Sequence, residues 1–338
     1  MSDSAVQFFF LLIKGILWVA VGVGMVPFII YFERKFAGFF QSRMGPTYAG
    51  PWGVLQSFGD MAKLLSKEDL TPDYADKPVF KLAPYILFVP GFLVMALVPF
   101  GPLGKEIFGY QVDMVIANFD AGVVMFLALG SIAVYGIVFA GWASNNHWSL
   151  LGGLRSGAQM ISYELSMGLA LVGVILMADS LNLSQIVQGQ AGNFWHWYFI
   201  PQIVSFTIFF VASIAELNRA PFDLAEAEQE LVAGHMTEYS GMRWGLFMFG
   251  EYVNMVVMAA VIATLFFGGY KAPFTFLEFV PGFAWLLSKV LFFVFMYMWI
   301  RWTLPRYRYN QLMDIGWKIF LPLAIANLAV TAIIVSVV

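Results

Sequence analysis

Apolar residues run along this chain in stretches of roughly twenty or more, broken by shorter segments that gather nearly all of the charge. A helix needs ~20 mostly apolar residues to cross the ~30 Å hydrocarbon layer of a bilayer. Eight stretches satisfy that, near 6–32, 80–100, 114–141, 158–178, 198–218, 243–268, 282–302 and 317–337. The pattern predicts an all-α integral membrane protein with eight transmembrane helices, because a backbone in lipid must satisfy its own hydrogen bonds. The third stretch is long enough to tilt or to hold an irregular segment, and Gly122, Gly130 and Gly136 permit either.

The first connection has a different periodicity. Val54, Leu55, Phe58, Met61, Ala62 and Leu65 share one face of a helical wheel, while Gln56, Asp60, Lys63 and Lys67 share the other. The segment 53–67 is therefore expected to be an amphipathic helix at the inner surface, lying in the interface or across other helices. Gly45-Pro46 and Gly50-Pro51 set turns ahead of it, and Pro72 and Pro78 break the chain behind it. Nothing reads as a soluble domain, so residues 1–338 are expected to form one membrane domain, and no long internal repeat is visible.

Charge placement then orients the helices. The first, third, fifth and seventh connections, with the span ends beside them, hold fourteen Lys and Arg residues, from Arg34 and Lys35 to Arg308 and Lys318; the opposite face holds Lys105 and Lys271. By the positive-inside rule the large first and fifth connections lie inside and both termini outside. With 60% hydrophobic and 12% charged residues and a net charge of -3, the chain belongs in a bilayer and offers nucleic acid no basic tract. It has no cysteine, which excludes disulfides, thiolate-bound Fe–S clusters and Cys-ligated zinc within it. Residues Met1 to Gln7 carry no basic n-region, so the first stretch is expected to be a retained span rather than a signal peptide.

Several charged residues sit where lipid makes them expensive. Glu164 lies about seven residues into the fourth span, roughly 10 Å below the inner surface, Glu251 at a similar depth in the sixth, and Glu216 just inside the end of the fifth. A carboxylate at a helix centre costs ~2.5–3.5 kcal/mol on insertion scales, so three on neighbouring spans point to a polar path for protons. Tyr163 and Tyr252 stand next to two of these acids and offer hydroxyls. The plainer account is that each acid pairs with a fixed base or caps a helix. In the fifth connection Asp223 followed by Glu226 resembles a capping box, which leaves Glu228 and Glu230 as the mouth of an acidic path or an attraction for a basic partner surface.

A second cluster is basic and aromatic, with Tyr31 to Phe36 after span one and Arg301 to Arg308 with Trp302, Tyr307 and Tyr309 after span seven. Such clusters are commonly interfacial anchors; the functional alternative is a mouth through which a lipid-soluble molecule enters. In the outer half Asp120 and Lys289 are candidates for an ion pair. His147, His196 and His235 stand in separate connections without metal-ligand spacing, and no metal site is expected. No dinucleotide fingerprint or P-loop is present, so the chain by itself has no apparatus to oxidise a nicotinamide.

The run Glu33-Arg34-Lys35, Gly38 to Pro46, Gly50 to Gln56, Asp60 and Lys67-Glu68-Asp69 resembles the first inner loop of the quinone-site membrane subunit (the H subunit) of complex I, the proton-pumping NADH:quinone oxidoreductase, equivalent to mitochondrial NADH dehydrogenase subunit 1. Gly141 to Asn145, Leu154-Arg155-Ser156, Ile161 to Glu164, Glu216 to Glu230 and Trp299 to Leu312 are similar too, so the likeness runs along nearly the whole chain. The resemblance implies a non-redox subunit that docks the hydrophilic arm, forms the membrane part of a quinone chamber and begins an acidic channel towards antiporter-like subunits. Carried over by position, Glu164, Glu216, Glu226, Glu228 and Glu251 would be channel acids with Glu230 beside them; Glu33, Arg34, Arg43, Asp60, Arg219 and Arg301 would line or support the chamber and its mouth. Asn310 stands where many relatives carry an acid, and no proton role is assigned there. The resemblance also implies quinone as substrate, NADH, FMN and Fe–S clusters on partner subunits, surrounding lipid, and a bacterial cytoplasmic (inner) membrane. Three rivals differ in what they demand: a subunit of a membrane-bound hydrogenase or ferredoxin-linked complex needs another electron donor, a proton-coupled secondary transporter needs inverted repeats, and an assembly scaffold needs only structural acids.

Overall fold

The computed structural model describes residues 3–107, 110–190, 192–223 and 232–337. Its longest elements are the helices α1 (Asp3–Phe40), α3 (Lys77–Met95), α4 (Gly122–Ala143), α5 (His147–Ala178), α8 (Gly241–Phe266), α9 (Gly282–Thr303) and α10 (Tyr309–Val337). Seven are thus long and apolar enough to span a membrane. The fifth expected span is α7 (Ile203–Glu216), whose 14 residues reach only ~21 Å as a helix. Residues 198–202, in turn conformation, lengthen it. Short elements complete the set: α2 (Gln56–Ser66), α6 (Leu183–Gly189) and an antiparallel hairpin of β1 (Lys105–Ile107) and β2 (Tyr110–Val112), with Lys105 opposite Val112.

The expected boundaries shift where polar residues mislead a hydropathy window. Residues 114–121 belong to no helix, because their backbone partners lie elsewhere: Phe100 N–H donates to the Met114 carbonyl at 3.0 Å, and Ala117 N–H to Ala96 at 3.1 Å. The fourth span begins eleven residues early, at His147, where the Asn146 side chain caps the helix by accepting from Trp148 N–H at 2.9 Å. Its first turns carry Arg155, Ser156 and Gln159, which lower the local hydropathy while the backbone stays helical. The last helix starts at Tyr309 and contains a π-helical stretch at Ile315–Phe320.

α8 is the axis of the bundle, with nearly every side chain from Val253 to Phe266 buried. Its aromatic and methionine side chains pack against α1, α3, α7 and α9 in one continuous core. A small-residue seam brings two backbones close. On α4 and α5, Gly141 and Gly153 face each other so closely that a Cβ on either would lie within 3.3 Å of the other's Cα. Pro84 inside α3 cannot donate to the Phe80 carbonyl four residues back, and Tyr239 O–H supplies that bond at 3.1 Å while its ring stacks on Phe80 at 4.0 Å.

The amphipathic segment forms as expected, and it packs across α1 and α8 through Ser57, Met61 and Leu64. Leu55, Phe58, Ala62 and Leu65 stay exposed, with the Phe58 ring edge-on to Phe28 of α1, 5.8 Å between centroids. α2 thereby walls one end of the bundle, here called the charged end.

Candidate functional site

Four elements bring charge together at this end. α1 continues well past the length needed to cross a bilayer and carries Glu33 and Arg34 on its last turns. α7 stops at Glu216, and Asn218, at φ 50°, reverses the chain so that Arg219 turns inward. Asparagine tolerates this left-handed conformation better than most residues, and its Oδ1 is fixed by a 3.0 Å hydrogen bond from Ser156 Oγ–H of α5. Gln159 pins the same turn, donating to the carbonyls of Ala215 at 2.7 Å and Phe222 at 2.8 Å. α8 contributes Met248, Glu251 and Tyr252, and α9 carries Arg301 in its last turn.

Glu33 is the hub. Its side chain is nearly sealed from solvent and takes Arg219 Nη1–H at 2.9 Å on Oε2 and Arg301 Nη1–H on Oε1. The Arg219 guanidinium lies over the Tyr252 ring, 4.2 Å from its centroid. Burial works against the charge on Arg219, yet Glu33, followed by Tyr252 and Glu251, raises its pKa, so it stays a cation. Removing one member of such a buried pair is strongly destabilising, because the other is left charged and desolvated.

Around this hub opens a cavity of about 460 Å³, lined among others by Glu33, Arg34, Arg43, Arg219, Glu251 and Arg301. Small-molecule sites run ~300–1,000 Å³. Arg34 also borders two neighbouring hollows of about 120 Å³ and 390 Å³. It is held by Asp60 of α2, which accepts from its Nη1 and from Gln56 Nε2 at 3.3 Å. Arg43 reaches the cavity from a tight loop that folds back onto Gly38 of α1: a Cβ there would lie 2.8 Å from both Arg43 O and Gly45 N.

The acids lead inward from the cavity. Glu251 faces it. Glu216 borders a separate, much smaller cavity, and its Oε2 is enclosed with no hydrogen-bond partner among the described residues. Glu164 on α5 lies within electrostatic reach of Glu216 and accepts a hydrogen bond from Ser131 Oγ–H of α4. The Ser131 hydroxyl also lies 3.1 Å from the Leu127 carbonyl. It has one hydrogen and two acceptor positions, so it can donate to an ionised Glu164, or donate to Leu127 and accept from a protonated Glu164. Both protonation states are accommodated without moving a helix.

Glu33, Arg34, Arg43, Asp60, Arg219, Arg301 and Glu251 are thus brought to one site, with Glu216 and Glu164 beyond it. Glu226, Glu228, Glu230 and the helix expected to begin at Asp223 lie outside the described residues; Asp223 itself pairs with Arg306 at 3.2 Å. Two expectations are corrected. Lys289 does not pair with Asp120: its three ammonium hydrogens go to the carbonyls of Phe267, Gly269 and Lys271 at 2.7, 2.8 and 2.7 Å, and its Nζ sits 4.4 Å from the Trp197 ring centroid. The turn after α8 aims those carbonyls at the lysine, whereas Asp120 precedes α4 and is exposed. Tyr163 does not serve Glu164 either, since neighbours in a helix point apart and its hydroxyl donates to the Leu312 carbonyl at 2.9 Å. Sequence reading missed Ser131, Gln159 and Asn254, polar residues in apolar helices that bear no charge to single them out. Among the described residues no group of three or more His, Asp or Glu side chains could hold a metal.

A sequence model described as NADH dehydrogenase matches residues 13–332. The chain is 49% identical over 322 residues to the first of the H subunits of NADH-quinone oxidoreductase in Geobacter sulfurreducens, covering 92% of this chain and 90% of that one. It is 46% identical over 325 residues to the NADH-quinone oxidoreductase H subunit of Brevibacillus brevis, covering 96% and 93%. Its identity to the corresponding H subunit of Burkholderia ambifaria is 47% over 322 residues, covering 93% and 88%. Matches of that depth over almost the full length, on a multi-pass helical membrane protein, establish that this chain belongs to the NADH dehydrogenase family.

Proposed function

We propose that this chain is the membrane subunit of a proton-translocating NADH:quinone oxidoreductase that forms the membrane part of its quinone chamber and begins its acidic channel. The observation that carries the reading is the single cavity in which Glu33, Arg34, Arg43, Arg219 and Arg301 gather at the ends of α1, α7 and α9 while Glu251 faces the same space. Arg34, Arg43 and Arg301 supply donors for quinone carbonyl oxygens, and Glu33, by binding Arg219 and Arg301, sets their positions. The hollow between α1, α2 and α8, walled by Pro27, Ile30, Met61, Leu64 and Phe249, suits an isoprenoid tail.

Quinone reduction takes two electrons and two protons, and the electrons come from an Fe–S cluster on a partner subunit. Charge added in the cavity acts on Glu251 and Arg219 first, then on Glu216 and Glu164, whose proton affinities depend on neighbouring charge. Glu226, Glu228 and Glu230 extend this acidic set in the fifth connection. NADH, FMN and the clusters reside on hydrophilic-arm subunits docked at the charged end; small membrane subunits adjoin the acids and lead to antiporter-like ones. The chain forms one membrane domain in a bacterial cytoplasmic membrane, with its charged end inside and both termini outside.

The test compares inhibitor-sensitive NADH:quinone reduction and proton pumping in membranes carrying wild type or Glu251→Gln at matched assembly. A large loss of either is expected. Normal turnover and normal pumping in both Glu251→Gln and Glu216→Gln would reduce the acids to structural residues.

A further inference from the structure

Glu216 borders a cavity of about 20 Å³ between α3, α4, α7 and α8; its Oε2 is enclosed, while its Oε1, beside Gly130 of the cavity wall, makes no hydrogen bond to another described residue. One water needs roughly 10–15 Å³ of such space and two to four polar partners. Most of the wall is apolar, including Val94, Phe126, Leu129 and Met258, and the one other polar side chain is Asn254 of α8. Asn254 makes no hydrogen bond to another described residue, although its amide offers two donors and an acceptor. Two glycines make room for these polar groups. The Asn254 Oδ1 rests where a Cβ on Gly91 would stand, and a Cβ on Gly130 would come within 3.2 Å of Glu216 Oε1. A carboxyl and an amide, both with spare hydrogen-bonding capacity, therefore face one void of water size in an apolar wall.

Asn254 follows Glu251 by three residues, so the two lie on one face of α8. Glu251 borders the large cavity and Asn254 the small one.

We propose that the small cavity is a one-water site in which Asn254 is a positioning residue, holding the water against Glu216 as its proton donor and acceptor. The water gives one proton to Glu216 Oε1 and regains one from the direction of Glu251, or the reverse, so its own proton count is unchanged. This rests on the reading of Glu216 and Glu251 as proton-carrying groups.

The test uses the purified complex in liposomes, with assembly quantified, and three variants: Asn254→Leu keeps the volume without the amide, Asn254→Asp keeps a polar partner, and Gly130→Ala narrows the space. A lost proton-transfer partner slows a step by orders of magnitude. Coupled turnover is expected to fall at least about tenfold in Asn254→Leu, to recover largely in Asn254→Asp with an altered pH profile, and to fall in Gly130→Ala. A high-resolution structure of the wild-type complex is expected to show one water within about 2.7–3.2 Å of Glu216 Oε1 and the Asn254 amide. An empty wild-type cavity, or full turnover and pumping in assembled Asn254→Leu, overturns the proposal. If Asn254→Leu fails to assemble, the wild-type density and Gly130→Ala decide it. Normal activity in Glu216→Gln is the separate outcome that would remove the proton-path reading itself.

Discussion

Replacing Glu33 by alanine leaves Arg219, 6% exposed, charged and without its bonded carboxylate. Breaking a buried ion pair from one side costs ~3–5 kcal/mol. The Arg301 contact adds little, because that side chain is 30% exposed and surface pairs contribute about 1 kcal/mol or less. The Tyr252 face, 4.2 Å from the guanidinium, remains and offsets ~0.5–2 kcal/mol of the loss. A net of about 3 kcal/mol corresponds to roughly a hundredfold larger opening equilibrium for the turn that carries Arg219. Hydrogen exchange read by mass spectrometry on a peptide spanning 217–223 in the solubilised complex measures it directly. Adding Arg219→Leu to Glu33→Ala is expected to restore most of the protection, since removing both charges of a buried pair is far less damaging than removing one. Protection in assembled Glu33→Ala within about threefold of wild type would refute the reasoning, because the buried carboxylate would then hold nothing in place.

Other perturbations separate structural from functional charge. Lys289→Met strands three carbonyls that now bond an ammonium, and is expected to lower stability by ~2–4 kcal/mol in thermal unfolding, whereas Asp120→Asn changes it by less than ~0.5 kcal/mol. Arg34→Ala or Asp60→Asn breaks a partly exposed pair beside three cavities; KM for quinone should rise severalfold while the melting temperature stays near wild type. His235 is buried, neither ring nitrogen has a partner among the described residues, and burial pulls its pKa down to about 4. An opened chain binds that proton below about 6.5 and the folded one only near 4, so stability is lost as pH falls through this window, approaching ~3 kcal/mol. Thermal inactivation of His235→Phe at pH 6.5, 5.5 and 4.5 should lose that part of the slope; an identical slope would sink the assignment.

Membrane class, charge asymmetry and, to within one short span, the helix count were legible in the sequence because each rests on local composition: a bilayer imposes a length and a polarity on any segment that crosses it. The amphipathic α2 was legible for the same reason, though not which side it would present to the bundle. Helix ends were less so. Arg155, Ser156 and Gln159 hide the first turns of α5, and long-range backbone bonds, invisible to a window, keep 114–121 out of α4.

Within the site, the sequence by itself determined the inventory: carboxylates and guanidiniums near one end of the helices, and acids set deep within apolar spans. Tertiary structure alone decided the pairings. Glu33 meets residues 186 and 268 positions away in the chain, Arg219 and Arg301, because α1, α9 and the turn after α7 converge there. Lys289 takes three carbonyls rather than Asp120 because the end of α8 turns over it. The small cavity beside Glu216 exists because Gly91 and Gly130 lack side chains on walls contributed by separate helices. Spacing along a helix fixes which residues share its face, but the partner of a buried charge depends on how faces from distant segments pack, and that is a property of the assembled bundle.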